Sequence, residues 1–298
     1  MYDVIVVGGG PAGLSAALIL GRCRRSVLLC DSGRYRNDAT PAMHGFLSRD
    51  GVSPAELRRL GREQLAPYGV EIRDALITDA RREGDHFEVT LAGGDTEEGR
   101  KMLLATGIVD WLPDIPGLRE LYGKSVHHCP YCDGWEERDQ AIAVHGRGDT
   151  GVELAIRMLR WSSDVMLFTD GPAELSTEDR ERLARSGVEV REERIARLEG
   201  TGGRLSKIRF EDGGAVPRSA MFVKVEHVQR SNLAAKLGCE VDPQKGVRTA
   251  RSWEETCADG VYVAGDASRD LLLAIVAAAE GAKAAFGIDR ALSLEERR

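Results

Sequence analysis

The sequence predicts an α/β protein with two nucleotide-fold units in tandem. Three observations carry this: a strand, glycine turn, helix and strand in succession at the N-terminus, the same succession again near residue 141, and a length of 298 residues. At about 100–200 residues per domain that length suggests two domains, and a chain this long buries roughly three quarters of its unfolded surface without needing disulfides.

In the first unit a β-branched run from Asp3 to Val7 leads to a glycine turn. A small-residue helix follows from Pro11 to about Arg22, then a second apolar run from Ser26 to Cys30, which together read as βαβ. In the second unit Ala141 to His145 is the strand, Gly146 to Gly151 the turn, Gly151 to about Arg160 the helix, and Asp164 to Thr169 the next strand. His86 to Leu91 and Lys207 to Phe210 each precede a Gly-rich turn and read as small antiparallel insertions. The proline-bearing stretch Leu112 to Gly117 reads as a crossing between domains and Asp242 to Gly246 as the crossing back, making the first domain discontinuous. The terminal Glu295, Glu296, Arg297 and Arg298 read as a frayed end.

A formal charge of -7 with both signs mixed argues against nucleic acid, which wants a basic face. The opening decapeptide has no basic leader, and no apolar stretch reaches the roughly 20 residues of a membrane span, so a soluble protein is expected. Cys23, Cys30, Cys129, Cys132, Cys239 and Cys257 include one closely spaced pair. That is not a secreted disulfide framework, and it places the chain in a reducing cytosol.

Gly8, Gly10 and Gly13, with Pro11 and Ala12 between, form G-x-G-x-x-G at a strand-to-helix turn. Backbone amides there can approach a pyrophosphate without side chains in the way. Asp31 ends the second strand, where a carboxylate can accept from ribose hydroxyls. Near the C-terminus an apolar strand runs directly into Gly265 and Asp266, a placement that suits an aspartate reaching the ribityl or phosphate region of a flavin, or else a solvated turn. Leu104-Ala105-Thr106-Gly107 is a weaker signal. The most specific one is Cys129-Pro130-Tyr131-Cys132, with Asp133 following and His127 and His128 preceding. Two intervening residues let the sulfurs meet in a disulfide, and helix placement favours the thiolate. A zinc half-site is the competing reading, but no second C-x-x-C or correctly spaced histidine pair completes four ligands, and no metal is expected.

These motifs, in this order and at these separations over nearly the whole chain, resemble the low-molecular-weight thioredoxin reductase family. The resemblance implies two Rossmann-like three-layer domains, the second inserted in the first: an FAD-binding domain of residues 1–113 plus 244–298, and a pyridine-nucleotide-type domain, 114–243, carrying the redox pair. It implies a homodimer. It also implies that Cys132 is the thiolate nearer the flavin, that Cys129 exchanges with the thiol substrate, and that Asp133 is the general acid. Gly8, Gly10, Pro11, Ala12, Gly13, Asp31, Ala105, Thr106, Gly107, Gly265 and Asp266 would hold FAD.

Three features depart from the family pattern. The second unit keeps its glycine spacing, but the strand after it ends Thr169-Asp170-Gly171, without a basic cluster for a 2′-phosphate; Asp170 would repel one, leaving NADH or no nicotinamide. Arg147 stands where backbone should approach a pyrophosphate. Where the family carries an Arg-Gln pair, this chain has Asp270-Leu271-Leu272-Leu273-Ala274-Ile275, and on the apolar helix Leu273 to Phe286 the charged Glu280 and Lys283 read as surface or dimer residues. With the segment Met43 to Gly51, these departures resemble the gliotoxin- and holomycin-type dithiol oxidase branch, which passes electrons from a small dithiol to oxygen. His44 and His128 are candidate bases in that setting, packing or surface residues otherwise. Three functions follow as expectations: an FAD-dependent oxidoreductase exchanging electrons with a small dithiol or a thioredoxin-like protein, a conventional NAD(P)H-driven reductase, or a flavin redox sensor without turnover.

Overall fold

A computed structural model of the chain describes residues 1–249, 252–268 and 271–297. The chain packs as two units, one formed by Met1–Asp38, Phe46–Val109 and His227–Arg298, the other by Ala39–Gly45 and Asp110–Glu226.

In the first unit a parallel sheet runs in the order Glu71–Arg73, Val27–Cys30, Tyr2–Val7, Thr96–Leu104, and Val261–Val263 adds to Thr96–Leu104, also in parallel. Its central strands are continuous apolar runs because both faces are covered; Ile5, paired with Leu28 on one side and Met102 on the other, has no exposed surface. The expected insertion is an antiparallel meander, Ile77–Glu83, His86–Leu91 and Thr96–Leu104. On one face the helix Pro11–Arg22 lies against the long helix Ala274–Glu295. Small residues permit the approach: a Cβ on Gly281 would stand 2.0 Å from the Ala12 carbonyl oxygen.

The second unit holds a five-stranded parallel sheet in the order Glu189–Arg191, Val165–Phe168, Ile142–His145, Ala220–Val223, Val126–His127. Beside it lies the antiparallel sheet Ile195–Thr201, Arg204–Phe210, Ala215–Pro217, which contains the second expected insertion. Phe168, Phe210, Ile208 and Met221 fill the space between the two sheets.

The path differs from the expected one in three places. The return crossing falls between Glu226 and His227 instead of near Asp242–Gly246. Residues beyond 226 belong to the first core: Leu233 and Cys239 pack with Ile77 and Val261, Lys236 pairs with Asp79 at 2.7 Å, and Val241–Asp242 closes a hairpin on Gly246–Val247. The helix expected from Gly151 already begins at Gly148. The C-terminal helix runs on through Glu295, which pairs with Arg100 at 3.0 Å, so the end expected to fray is held there; Arg298 lies outside the described residues. Among the described residues no helix is long and apolar enough to cross a membrane.

Candidate active site

At the first glycine loop the fold requires glycine at two positions and leaves room at a third. Gly8 has φ of +115°, and a Cβ there would stand 2.2 Å from the Ala105 carbonyl oxygen, so the Ala105-Thr106-Gly107 turn lies directly against it. A Cβ on Gly13 would stand 1.8 Å from the Gly8 carbonyl oxygen, which sets the helix tight against its strand. Above Gly10 a Cβ would meet nothing within 4 Å. The helix that starts here has Pro11 in its first turn, no side-chain cap and no acidic residue in that turn. Its amide end is therefore suited to a phosphate. Gly265, at φ of +79°, abuts Ala12, and Asp266 pairs with Arg36 at 3.1 Å. Asp31 is buried beneath Gly9 and accepts from the Tyr35 hydroxyl at 2.5 Å, the Gly33 amide at 3.0 Å and Arg62 at 3.1 Å. Arg58 lies over the Tyr35 ring, 3.6 Å from its centroid.

Of the residues expected around FAD, Gly8, Gly13, Asp31, Ala105 and Gly265 thus lie against the strand-to-helix turn that carries Gly10, Pro11 and Ala12. Glu280, expected at the surface or a dimer contact, is instead buried and accepts from the Gly265 amide at 2.7 Å and the Ser268 hydroxyl at 3.4 Å. The residues around Glu280, Ala277 to Ala279 and Gly281 to Ala282, are all small, so the helix packs closely on its neighbour there and buries the side chain that faces the Gly265 turn. Lys283, one turn on, pairs with the buried Glu254. Asp270 lies outside the described residues, and Leu271 is exposed.

Cys129 and Cys132 are joined in a disulfide. Cys129 precedes the short helix Pro130–Asp133, and its carbonyl accepts from the Cys132 and Asp133 amides at 3.1 and 3.2 Å. Tyr131 and Trp135 flank the pair, about two thirds exposed, and the Tyr131 ring stands edge-on to Trp161. The buried His127 and Glu137 join Asp133 in a chain of charged contacts. His127 Nδ1 is 3.4 Å from Asp133 Oδ1, and its Nε2 is 3.3 Å from Glu137 Oε1. Glu137 also receives Arg204 at 2.8 Å. Burial alone would push the His127 imidazole down, but the carboxylates of Asp133 and Glu137 outweigh it and hold it up at about 9. His128 Nδ1 lies 2.7 Å from the Tyr122 hydroxyl, which donates to Asp110 at 2.9 Å. His44 Nε2 stands 3.4 Å from Glu136. Sequence reasoning named Asp133, His44 and His128 but missed Glu137, Tyr122 and Glu136, because only folding brings those partners together.

The second glycine loop keeps the close approach: a Cβ on Gly146 would stand 2.9 Å from the Gly151 Cα. Its helix start is occupied by the protein itself. The Gly148 amide donates to the Ala173 carbonyl at 3.1 Å. Arg147 lies along the end of the next strand, donating to the Thr169 carbonyl at 2.6 Å and to the Asp170 carbonyl. Arg194 donates to the same Asp170 carbonyl at 3.0 Å, and the Asp170 carboxylate takes the Ile195 amide at 2.7 Å. Asp149 adds negative charge to the helix's first turn.

A sequence profile of the pyridine nucleotide-disulphide oxidoreductases matches residues 2–281. A thioredoxin reductase of Claviceps purpurea, tcpT, is 37% identical over 89% of this chain and 86% of its own length. The crystal structure of HlmI superposes with a TM-score of 0.93 at 40% identity, covering 99% of this chain and 93% of that one. The crystal structure of TrxB from Bacillus anthracis gives a TM-score of 0.94 at 32% identity, covering 99% of this chain and 100% of that one.

Proposed function

The chain belongs to the pyridine nucleotide-disulphide oxidoreductase family and is an oxidoreductase of the thioredoxin reductase type; on that premise we propose that it binds FAD at the first glycine loop and oxidises a small dithiol through Cys129 and Cys132, without NADPH. The observation that carries the last part is the occupied second helix start, where the Ala173 carbonyl takes the amide and Arg147 covers the strand end. FAD fits the first loop because the space above Gly10 is clear, no acidic residue stands in the helix's first turn, and Gly8 and Gly13 cannot carry side chains. When bound, FAD supplies a two-electron acceptor for the reduced cysteine pair.

The rest is the work of this chain's own residues. A substrate thiolate attacks Cys129 Sγ, the Cys129–Cys132 bond breaks, and Cys132 leaves as thiolate. The second substrate thiol then attacks the mixed disulfide, releasing the substrate as its disulfide and leaving both cysteines reduced. Asp133, directly after Cys132, takes up and returns protons at its carboxylate, and His127 holds that carboxylate in place. The exposed Tyr131 and Trp135 rings offer an apolar platform beside the sulfurs, which favours a small organic dithiol over a polar partner. A homodimer in the cytosol completes the reading, and light scattering on the purified protein checks the dimer.

The purified yellow protein, held anaerobically, receives NADH, NADPH or dithiothreitol while its flavin absorbance is followed. Bleaching by dithiol alone, reversed by air with oxygen uptake, is the expected result. Rapid bleaching by a nicotinamide would overturn the NADPH-independent reading in favour of a conventional reductase, which the retained glycine spacing of Gly146, Gly148 and Gly151 would accommodate. Reduction without turnover on any thiol would favour a redox sensor.

A further inference from the structure

Four cysteines lie outside the active-site pair. Cys30 is sealed in the first core, and Cys23 is exposed at the end of the first helix. The other two stand together. Cys239 follows the turn after Leu233–Lys236, its amide held by the Ala234 carbonyl at 2.9 Å. Cys257 lies in the turn that leads into Val261–Val263. Their contacts are reciprocal: Cys239 Sγ reaches the Thr256 hydroxyl at 3.4 Å, and Cys257 Sγ reaches the Gly238 carbonyl at 3.6 Å. Each thiol thus touches the residue that precedes the other cysteine. The segment before Cys257 is fixed as well, since the Thr256 hydroxyl lies 2.9 Å from the Val261 carbonyl and the Thr256 amide bonds the same oxygen at 3.1 Å.

We propose that Cys239 and Cys257 are a second redox pair, separate from Cys129 and Cys132, which closes into a disulfide when the protein meets hydrogen peroxide. Their exposures assign the roles. Cys257 is open to solvent and meets the oxidant, whereas Cys239 is 8% exposed and resolves it. Burial pushes the Cys239 thiol up, which keeps it from reacting first. The Cys257 thiolate attacks one peroxide oxygen and the O–O bond breaks. Cys257 becomes a sulfenic acid, and the departing hydroxide takes the thiol proton to form water. Cys239 sulfur then attacks the sulfenic sulfur, an S–S bond forms, the S–O bond breaks, and a second water leaves with the Cys239 proton. Two thiols are oxidised and one peroxide is reduced. The bond would tie the segment after Lys236 to the turn before the strand that enters Gly265 and Asp266.

The test uses the full chain, first reduced, freed of reductant, exposed to equimolar hydrogen peroxide, alkylated and digested with trypsin without further reduction. Trypsin releases Cys239 in the peptide Leu237–Lys245 and Cys257 in Ser252–Arg269, whereas both active-site cysteines remain within Ser125–Arg138. Mass spectrometry should find the first two peptides joined, lighter by two hydrogens than their sum, whatever the active-site pair does. Cys239→Ser should abolish the joined species and leave a Cys257 sulfenic acid that dimedone captures; Cys257→Ser should abolish both. Quantitative alkylation of Cys257 after peroxide in the unsubstituted protein would overturn the proposal, as would a stable Cys257 sulfenic acid there or a Cys257 bond between two chains.

Discussion

The molecule contains the same glycine fingerprint twice, and the two copies end in different chemistry. At the first, the space above Gly10 is clear and the helix carries neither cap nor acid. At the second, the Ala173 carbonyl occupies the helix start, Arg147 folds across the strand end and Asp149 adds a negative charge. Glycine spacing specifies how closely a strand and a helix can approach; it does not specify what fills the space beyond them. A nucleotide site needs both, and the two loops differ in the second: the space above Gly10 is clear, whereas the Gly148 amide is taken by the Ala173 carbonyl.

The comparison breaks most severely at Gly13. In Gly13→Val the side chain would meet the Gly8 backbone, which cannot move without lifting the helix off its strand; a loss of about 3 kcal/mol is expected. The purified protein should be colourless, and one that retained full flavin would show that the close approach is dispensable. Glu280→Ala sharpens the same side, because it strands the Gly265 amide: about 2 kcal/mol should be lost, read as a drop of several degrees in Tm with weakened flavin retention.

The second unit answers to pH. His127 titrates at about 9 in the folded chain, against an ordinary value near 6.5. A raised value means stability that is fully present below about pH 6.5 and is lost as pH rises toward 9, by at most on the order of 3 kcal/mol. Denaturant midpoints measured from pH 6 to 9.5 should fall across that window in the unsubstituted protein, and the fall should vanish in His127→Gln. Arg147→Ala tests the covered strand end directly. If Arg147 is the main obstacle, tryptophan fluorescence titrated with NADH should show tighter binding by about tenfold, the equivalent of ~1.4 kcal/mol; unchanged binding would assign the obstruction to the Ala173 segment. Smallest is Gly148→Ala, where φ is +53° and the nearest atom to an added Cβ is 3.8 Å away. Backbone strain of about 1 kcal/mol, visible in Tm alone, is expected.

Both nucleotide-fold units and their strands were legible in the sequence, because each is encoded over a few tens of residues by periodicity and glycine placement, and the disulfide was legible from the two-residue spacing of Cys129 and Cys132. Asp31 and Asp266 were legible as residues but not as partners: Tyr35, Arg62 and Arg36 reach them only after folding. Glu280 was misplaced because its helix neighbours are uniformly small, a pattern compatible with burial or a surface; its isolation among alanines was the signal for burial. The chain of charged contacts that begins at Asp133 stayed hidden because Glu137 and Arg204 lie 67 positions apart. The missing basic cluster after Thr169 was legible, whereas the Ala173 carbonyl that occupies the helix start was not, since a backbone group carries no sequence signature.

The short segment Ala39–Gly45 packs with the second unit, where a Cβ on Gly123 would come within 2.7 Å of Ala39. The backbone therefore passes from one unit to the other four times, at 38/39, 45/46, 109/110 and 226/227. Inserting one gene segment into another accounts for two of these passages and leaves two unexplained. A fragment cut at 110 and 226 would therefore leave behind residues 39–45, which pack with it.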